Sequence, residues 1–190
     1  MKKSKVETAE TRKRIIEVAS RQFRRNGINA TGLSEVMSEA GLTHGGFYRH
    51  FDSKNQLVAE ACEAGMSAMV DALGAPTSEG DSKNPFESIV DIYVSERHRD
   101  NAEGGCPLAG TGSELARADL QTREAAARGI NHMVDLMAKG MQDRPADVAH
   151  SDAVFALAAM VGAVTMSRII ENPDVSASVL AIVKEHLNAL

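Results

Sequence analysis

Residues 31–54 read Thr31-Gly-Leu-Ser-Glu-Val-Met-Ser-Glu-Ala-Gly-Leu-Thr-His-Gly-Gly-Phe-Tyr-Arg-His-Phe-Asp-Ser-Lys54. Leu33, Val36 and Met37 recur three and four residues apart, the spacing of one helix face, over a short piece from Leu33 to Ala40 that Gly41 stops. A second short helix is predicted from Thr43 to His50, closed by Phe51, with Leu42, Phe47 and Phe51 on the buried side. Two short helices across a Gly-containing turn make a helix-turn-helix, in which the first supports the second and the second enters a major groove. Thr43, His44, Gly45, Tyr48 and Arg49 are left facing outward. Gly45-Gly46 costs about 1 kcal/mol per glycine relative to Ala inside a helix. The pair either lets the backbone come close to DNA or leaves the helix half-ordered until DNA binds.

Helical periodicity continues on both sides, and no alternating strand pattern or internal repeat interrupts it. The first helix is predicted from about Thr8 to Asn26, with Ile15, Ile16, Ala19 and Phe23 in one stripe and Gly27 at C′. Ser53 to Gln56 reads as a capping box opening a helix to about Leu73. Residues 74–84 have the composition of a mobile loop, and Asn84-Pro85 restarts a helix that should end near Arg99. Glu103-Gly104-Gly105 leads through Cys106-Pro107 into a shorter segment, followed by a long helix from Leu120 to Gln142 with Met133, Met137 and Met141 in a stripe. Val148 to Ile170 is apolar nearly all round, and Val179, Ile182, Val183, Leu187 and Leu190 line one face of the last helix. The expected fold is all-α: a three-helix helix-turn-helix domain over residues 1–53, then a helical effector-binding and dimerisation domain over residues 54–190. A helix apolar on every side needs more cover than one such domain provides. The expectation is therefore a homodimer through helices near residues 148–170 and 176–190, the alternative being a central helix buried within a monomer.

The chain has 190 residues, 43% apolar, which excludes a disordered polypeptide. Its net charge of −5 hides a division. Residues 1–60 hold 11 Lys/Arg and 7 Asp/Glu, a balance of +4; the remainder holds 10 and 19, a balance of −9. A basic first third can meet phosphate while the acidic remainder is repelled by it. Cys62 and Cys106 have no zinc spacing around them, so neither a metal nor another cofactor is expected. The N-terminus lacks the apolar stretch of a signal peptide, and the longest uncharged run, Ala153 to Ser167, is shorter than the roughly 20 residues that span a bilayer. The expectation is a cytoplasmic protein with reduced thiols and no membrane partner.

The segment from Thr31 to Lys54 resembles the signature of the TetR-type transcriptional regulators, including its Phe47-Tyr48-Arg49-His50-Phe51 core and the Lys that follows. The resemblance resumes at Gly162-Ala163 through Arg168 and at Asn172-Pro173-Asp174, similar to the family's two dimerising helices. Between them, only a subset of the family is similar, through Arg97-His98-Arg99-Asp100 and Gly105-Cys106-Pro107-Leu108-Ala109. The resemblance implies a ligand-responsive repressor, not an enzyme, that binds double-stranded palindromic operator DNA as a dimer. It makes Thr43, His44 and Gly45 candidates for base-edge or groove-floor contacts. Tyr48, His50 and Lys54 become phosphate contacts, joined by Thr31 and Ser34. Gly32, where the family more often has a hydroxyl or a larger residue, removes one possible phosphate contact. The resemblance also implies a pocket for an unknown small-molecule effector among helices around residues 85–142. Its candidate lining is Met66, Met69, Phe86, Ile89, Tyr93, Cys106, Met133, Met137 and Phe155, since Met offers a deformable wall to apolar ligands.

Cys106 carries an alternative. Between two glycines and Pro107 its sulfur would lie at a helix N-terminus, near His98, where a thiolate is favoured, as an electrophile or redox sensor requires. A more remote alternative is an enzyme with Cys106 as nucleophile, His98 as base and Glu114 as orienter, although no oxyanion hole or phosphate loop accompanies them. A purely architectural DNA-binding dimer without a ligand is the third.

Overall fold

The computed structural model describes residues 5–75 and 84–190, so all but the ends of the loop expected over residues 74–84 lies outside the described residues. In order, the elements are α1 (Lys5–Asn26), α2 (Leu33–Glu39), a 3-10 helix (His44–Arg49), α3 (Lys54–Gly74), α4 (Pro85–Tyr93), α5 (Glu96–Asp100), α6 (Pro107–Leu115), α7 (Leu120–Gly140), α8 (Ala146–Ile169) and α9 (Pro173–Asn188). No strand occurs among the described residues, and the all-α fold is as expected.

Local chemistry sets most boundaries. Gly27 and Gly41 take φ of +90° and +72° at the ends of α1 and α2, the left-handed turn that other residues resist. Ser53 accepts from the Gln56 N–H, while the Gln56 side chain reaches back to the Asp52 N–H at 2.7 Å, so the reciprocal bond of the expected box falls one residue early. Asn84, Asp119 and Asn172 cap α4, α7 and α9 through side-chain oxygens. The helix expected to run to Arg99 instead breaks after Tyr93. Ser95 starts the new helix α5 by accepting from the His98 N–H, and His98 Nδ1 lies 2.7 Å from the Tyr93 carbonyl oxygen, folding the chain back on itself.

Two cores form. Ile15, Ala19, Phe23, Val36, Met37, Phe47, Phe51, Leu57 and Ala61 fill the first, under the helix-turn-helix. Cys62, Met66, Met69, Phe86, Ile89, Tyr93, Met133, Met137 and Met160 belong to the second. Helix α3 serves both and passes from one to the other between Ala61 and Cys62. It lies so close to α7 that a Cβ on Gly129 would stand 2.6 Å from Met66 Cβ. Helix α8 turns Ala149, Ala153, Ala156, Met160 and Val164 into the second core and leaves Val148, Phe155, Met166 and Ile169 exposed. By length and composition alone α8 could cross a bilayer, yet its inner side is part of this helical core.

Candidate nucleic-acid interface

The second helix of the motif is 3-10 rather than α. Gly46 N–H donates to the Thr43 carbonyl at 2.9 Å and His50 N–H to the Phe47 carbonyl at 2.9 Å. Two adjacent glycines weaken an α-helix, and a tighter turn anchored by Phe47 replaces it. Phe47 is fully buried and stacks on Phe51 with centroids 5.5 Å apart. It also meets Tyr48 edge-on at 5.2 Å, which props the Tyr48 ring outward at 67% exposure. Thr43, His44, Gly45 and Arg49 are exposed along the same short element. The Thr43 hydroxyl makes no capping bond to it. Ser34, exposed in the first turn of α2, places its hydroxyl 3.2 Å from His44 Nδ1.

Two of the expected phosphate contacts have other work. Thr31 is buried, and its hydroxyl donates to the Gly27 carbonyl at 2.7 Å. Lys54 Nζ donates to the carbonyls of Ile28 (2.8 Å) and Thr31 (2.7 Å), so two of the ammonium's three N–H groups lock the turn between α1 and α2. His50 is half-buried, and its carbonyl accepts from Arg12 Nε. The basic face of α1 is also partly spent inside the protein. Arg12 pairs with Glu60 and lies over the Phe51 ring at 4.5 Å, and Arg21 meets Glu39 at 3.3 Å. Arg24, its pKa pulled down by burial, donates to the Gly105 carbonyl at 3.2 Å. Arg49 is exposed, and no carboxylate among the described residues forms an ion pair with it.

One contact has no signal in the sequence. Glu114 on α6 accepts from two consecutive amides of the α1–α2 turn, Ile28 N–H at 3.0 Å and Asn29 N–H at 2.8 Å. The turn is thus held from the body by a carboxylate on its N–H groups and from α3 by Lys54 on its carbonyls.

Residues 15–61 match the family model described as bacterial regulatory proteins, tetR family. Residues 15–61 are therefore a helix-turn-helix region of the tetR type. Over 62 residues it is 42% identical to the HTH-type transcriptional regulator AcrR of Shigella flexneri, covering 33% of this chain and 29% of that protein. Over 59 residues it is 39% identical to the probable acrEF/envCD operon repressor of Escherichia coli K12, covering 31% and 27%. The alignments therefore span less than a third of these relatives' length. A solved TetR transcriptional regulator from Chloroflexus aurantiacus is similar along nearly the whole chain, with 27% identity, a TM-score of 0.78 and coverage of 96% of this chain and 94% of that one.

In the body of the chain, eight of the nine expected effector-lining residues, Met66, Met69, Phe86, Ile89, Tyr93, Cys106, Met133 and Met137, pack into the second core. The ninth, Phe155, does not join them: α8 points it outward at 60% exposure, because Ala153 and Ala156 take the inward positions. A groove of about 400 Å³ opens elsewhere, between Leu108 and Gly112 of α6, Ile130 and Val134 of α7, and Val154, Leu157 and Val161 of α8. Cys106 sits just before α6, as expected, but its sulfur is wholly buried. Burial pushes its thiol pKa up, outweighing the nearby helix amides that favour the thiolate. His98 gives Cys106 no base: Nε2 accepts from the Cys106 backbone N–H at 2.9 Å, and Nδ1 faces the Tyr93 carbonyl. Neither a poised sensor thiolate nor a Cys/His catalytic dyad is present in this arrangement.

Proposed function

We infer that this chain is a transcriptional repressor that binds a palindromic operator as a homodimer and releases or engages it in response to an apolar small molecule. The observation that carries the reading is the exposed row Thr43, His44, Gly45 and Tyr48, mounted on a buried Phe47 and Phe51 in the basic third of the chain. Each protomer presents one such element to a major groove, with half-site centres about 34–36 Å apart or a multiple of that. Tyr48, the remaining Lys54 N–H and Arg49 meet phosphates; Thr43, His44 and Gly45 face base edges. A regulator of this kind acts in the cytoplasm, where the DNA is.

Dimerisation is supported by two exposed apolar stripes with seven-residue spacing, Val148, Phe155 and Ile169 on α8 and Val175 and Ile182 on α9. Monomers seldom leave such a patch in water. The effector reading rests on the groove beside α6, whose lining residue Val134 belongs to the same core as the deformable methionines Met133 and Met137.

Selection of bound duplexes from a randomised pool, followed by titration against salt, tests the reading. Wild type should enrich an inverted repeat, and log affinity should fall linearly with log salt. Tyr48→Ala should weaken binding on every sequence with that slope unchanged, whereas Arg49→Ala should make it shallower by about one. Enrichment of no sequence at all would defeat the operator reading.

A further inference from the structure

We propose that Ser34 is a specificity-positioning residue: it orients the His44 imidazole so that the ring presents an Nε2–H donor to a base edge. This rests on the operator reading above and refines it. The two residues come from different elements, Ser34 from the first turn of α2 and His44 from the first position of the 3-10 helix, and their side chains meet at 3.2 Å between Oγ and Nδ1. Both are exposed on the side of the motif where Thr43 and Gly45 also lie exposed.

Nothing on the histidine's own element can orient it. Gly45 and Gly46 follow, and a Cβ built on Gly45 would meet nothing within 4 Å. An exposed imidazole so placed rotates freely and reads a base poorly, because its two nitrogens differ in sense: in the neutral ring one donates and the other accepts. A hydroxyl fixed on α2 sets the direction of the ring. With the serine O–H as donor to Nδ1, the ring proton is on Nε2, on the ring edge away from α2. The partner of such a donor in a major groove is an acceptor: a purine N7, guanine O6 or thymine O4. The family resemblance assigned Ser34 to phosphate, but its hydroxyl is already directed at the histidine.

The experiment applies the same duplex selection to the full chain and to Ser34→Ala, Ser34→Thr, His44→Ala and the double variant Ser34→Ala/His44→Ala. Ser34 is exposed, so these changes do not touch the core. Wild type should show a base preference at one position of the half-site that His44→Ala abolishes. Ser34→Ala should lose about tenfold of the discrimination at that same position, with affinity for non-cognate DNA and the salt slope unchanged. Ser34→Thr, which keeps the hydroxyl, should restore it, and the double variant should behave as His44→Ala alone. The proposal is overturned if Ser34→Ala weakens all duplexes equally, the mark of a phosphate contact. Unchanged preferences in Ser34→Ala would overturn it too. A wild type that selects no sequence would remove the operator reading itself, a result distinct from all of these.

Discussion

His98 shows how much of the middle of this molecule hangs on one neutral ring. Its Nδ1–H donates to the Tyr93 carbonyl while its Nε2 lone pair accepts from the Cys106 N–H, so a further proton would set two N–H groups against each other. Burial likewise holds its pKa below the ordinary 6.5. The unfolded chain therefore binds the proton more readily than the folded one, and stability rises with pH across the interval between the two pKa values. His98 contributes fully above about pH 6.5, and the contribution is lost as the pH falls from there through the folded pKa. The melting temperature should decline between pH 7 and pH 5, and His98→Gln should start lower but decline less steeply. At this scale the sequence showed which residue types face outward, since Tyr48, His44 and Thr43 stand exposed where periodicity puts them. It could not show which polar groups were already engaged. Thr31 and Lys54 looked like phosphate ligands because a hydroxyl and an ammonium suit phosphate. Their actual partners are carbonyls four to 26 residues away, at Gly27, Ile28 and Thr31, brought near only by the turn.

Elements were more legible than their contacts. Helix starts at Ser53, Asn84 and Asn172 announce themselves through caps, and Gly27 and Gly41 mark stops through their backbone freedom. The break after Tyr93 was missed because apolar spacing runs on through Ile92, Tyr93 and Val94 while the deciding event is the capping bond of Ser95. The 3-10 geometry was missed for a related reason: the glycine pair signalled weakness but not what replaces an α-helix. Helix packing is the least visible. Gly129 looks like a helix defect in sequence, but its missing Cβ is what lets α7 approach α3 at Met66. Gly129→Ala gains helix propensity yet forces Met66 aside at its Cβ, the rigid end of the side chain. The variant should lose about 1–3 kcal/mol, read as a lower denaturant midpoint with the same slope.

At the scale of the whole molecule, charge and surface divide the work. The −9 balance of the later residues repels phosphate, while the +4 balance of residues 1–60 attracts it. Phe155→Glu places a charge in the exposed apolar stripe of α8 without entering the core. It should give a monomer by sedimentation at concentrations where wild type is a dimer, with an unchanged melting transition of the isolated protomer. The Glu114 clamp acts between the two regions. Glu114→Ala leaves the Ile28 and Asn29 amides without their carboxylate, which should cost about 1–3 kcal/mol of stability and also weaken operator binding, because the turn it holds sets the angle of α2. A melting curve and a binding isotherm on the same variant check both effects.

The sharing of α3 between the two cores bears on modularity. The head's packing is complete only with Leu57, Val58 and Ala61, which lie beyond the motif that reads DNA. A reading head exchanged between relatives at residue 53 would leave behind part of its own interior and acquire a stranger's. The natural seam for recombination, by chance in evolution or by hand in a chimera, lies inside the helix, between Ala61 and Cys62, where inheritance of one core ends and that of the other begins.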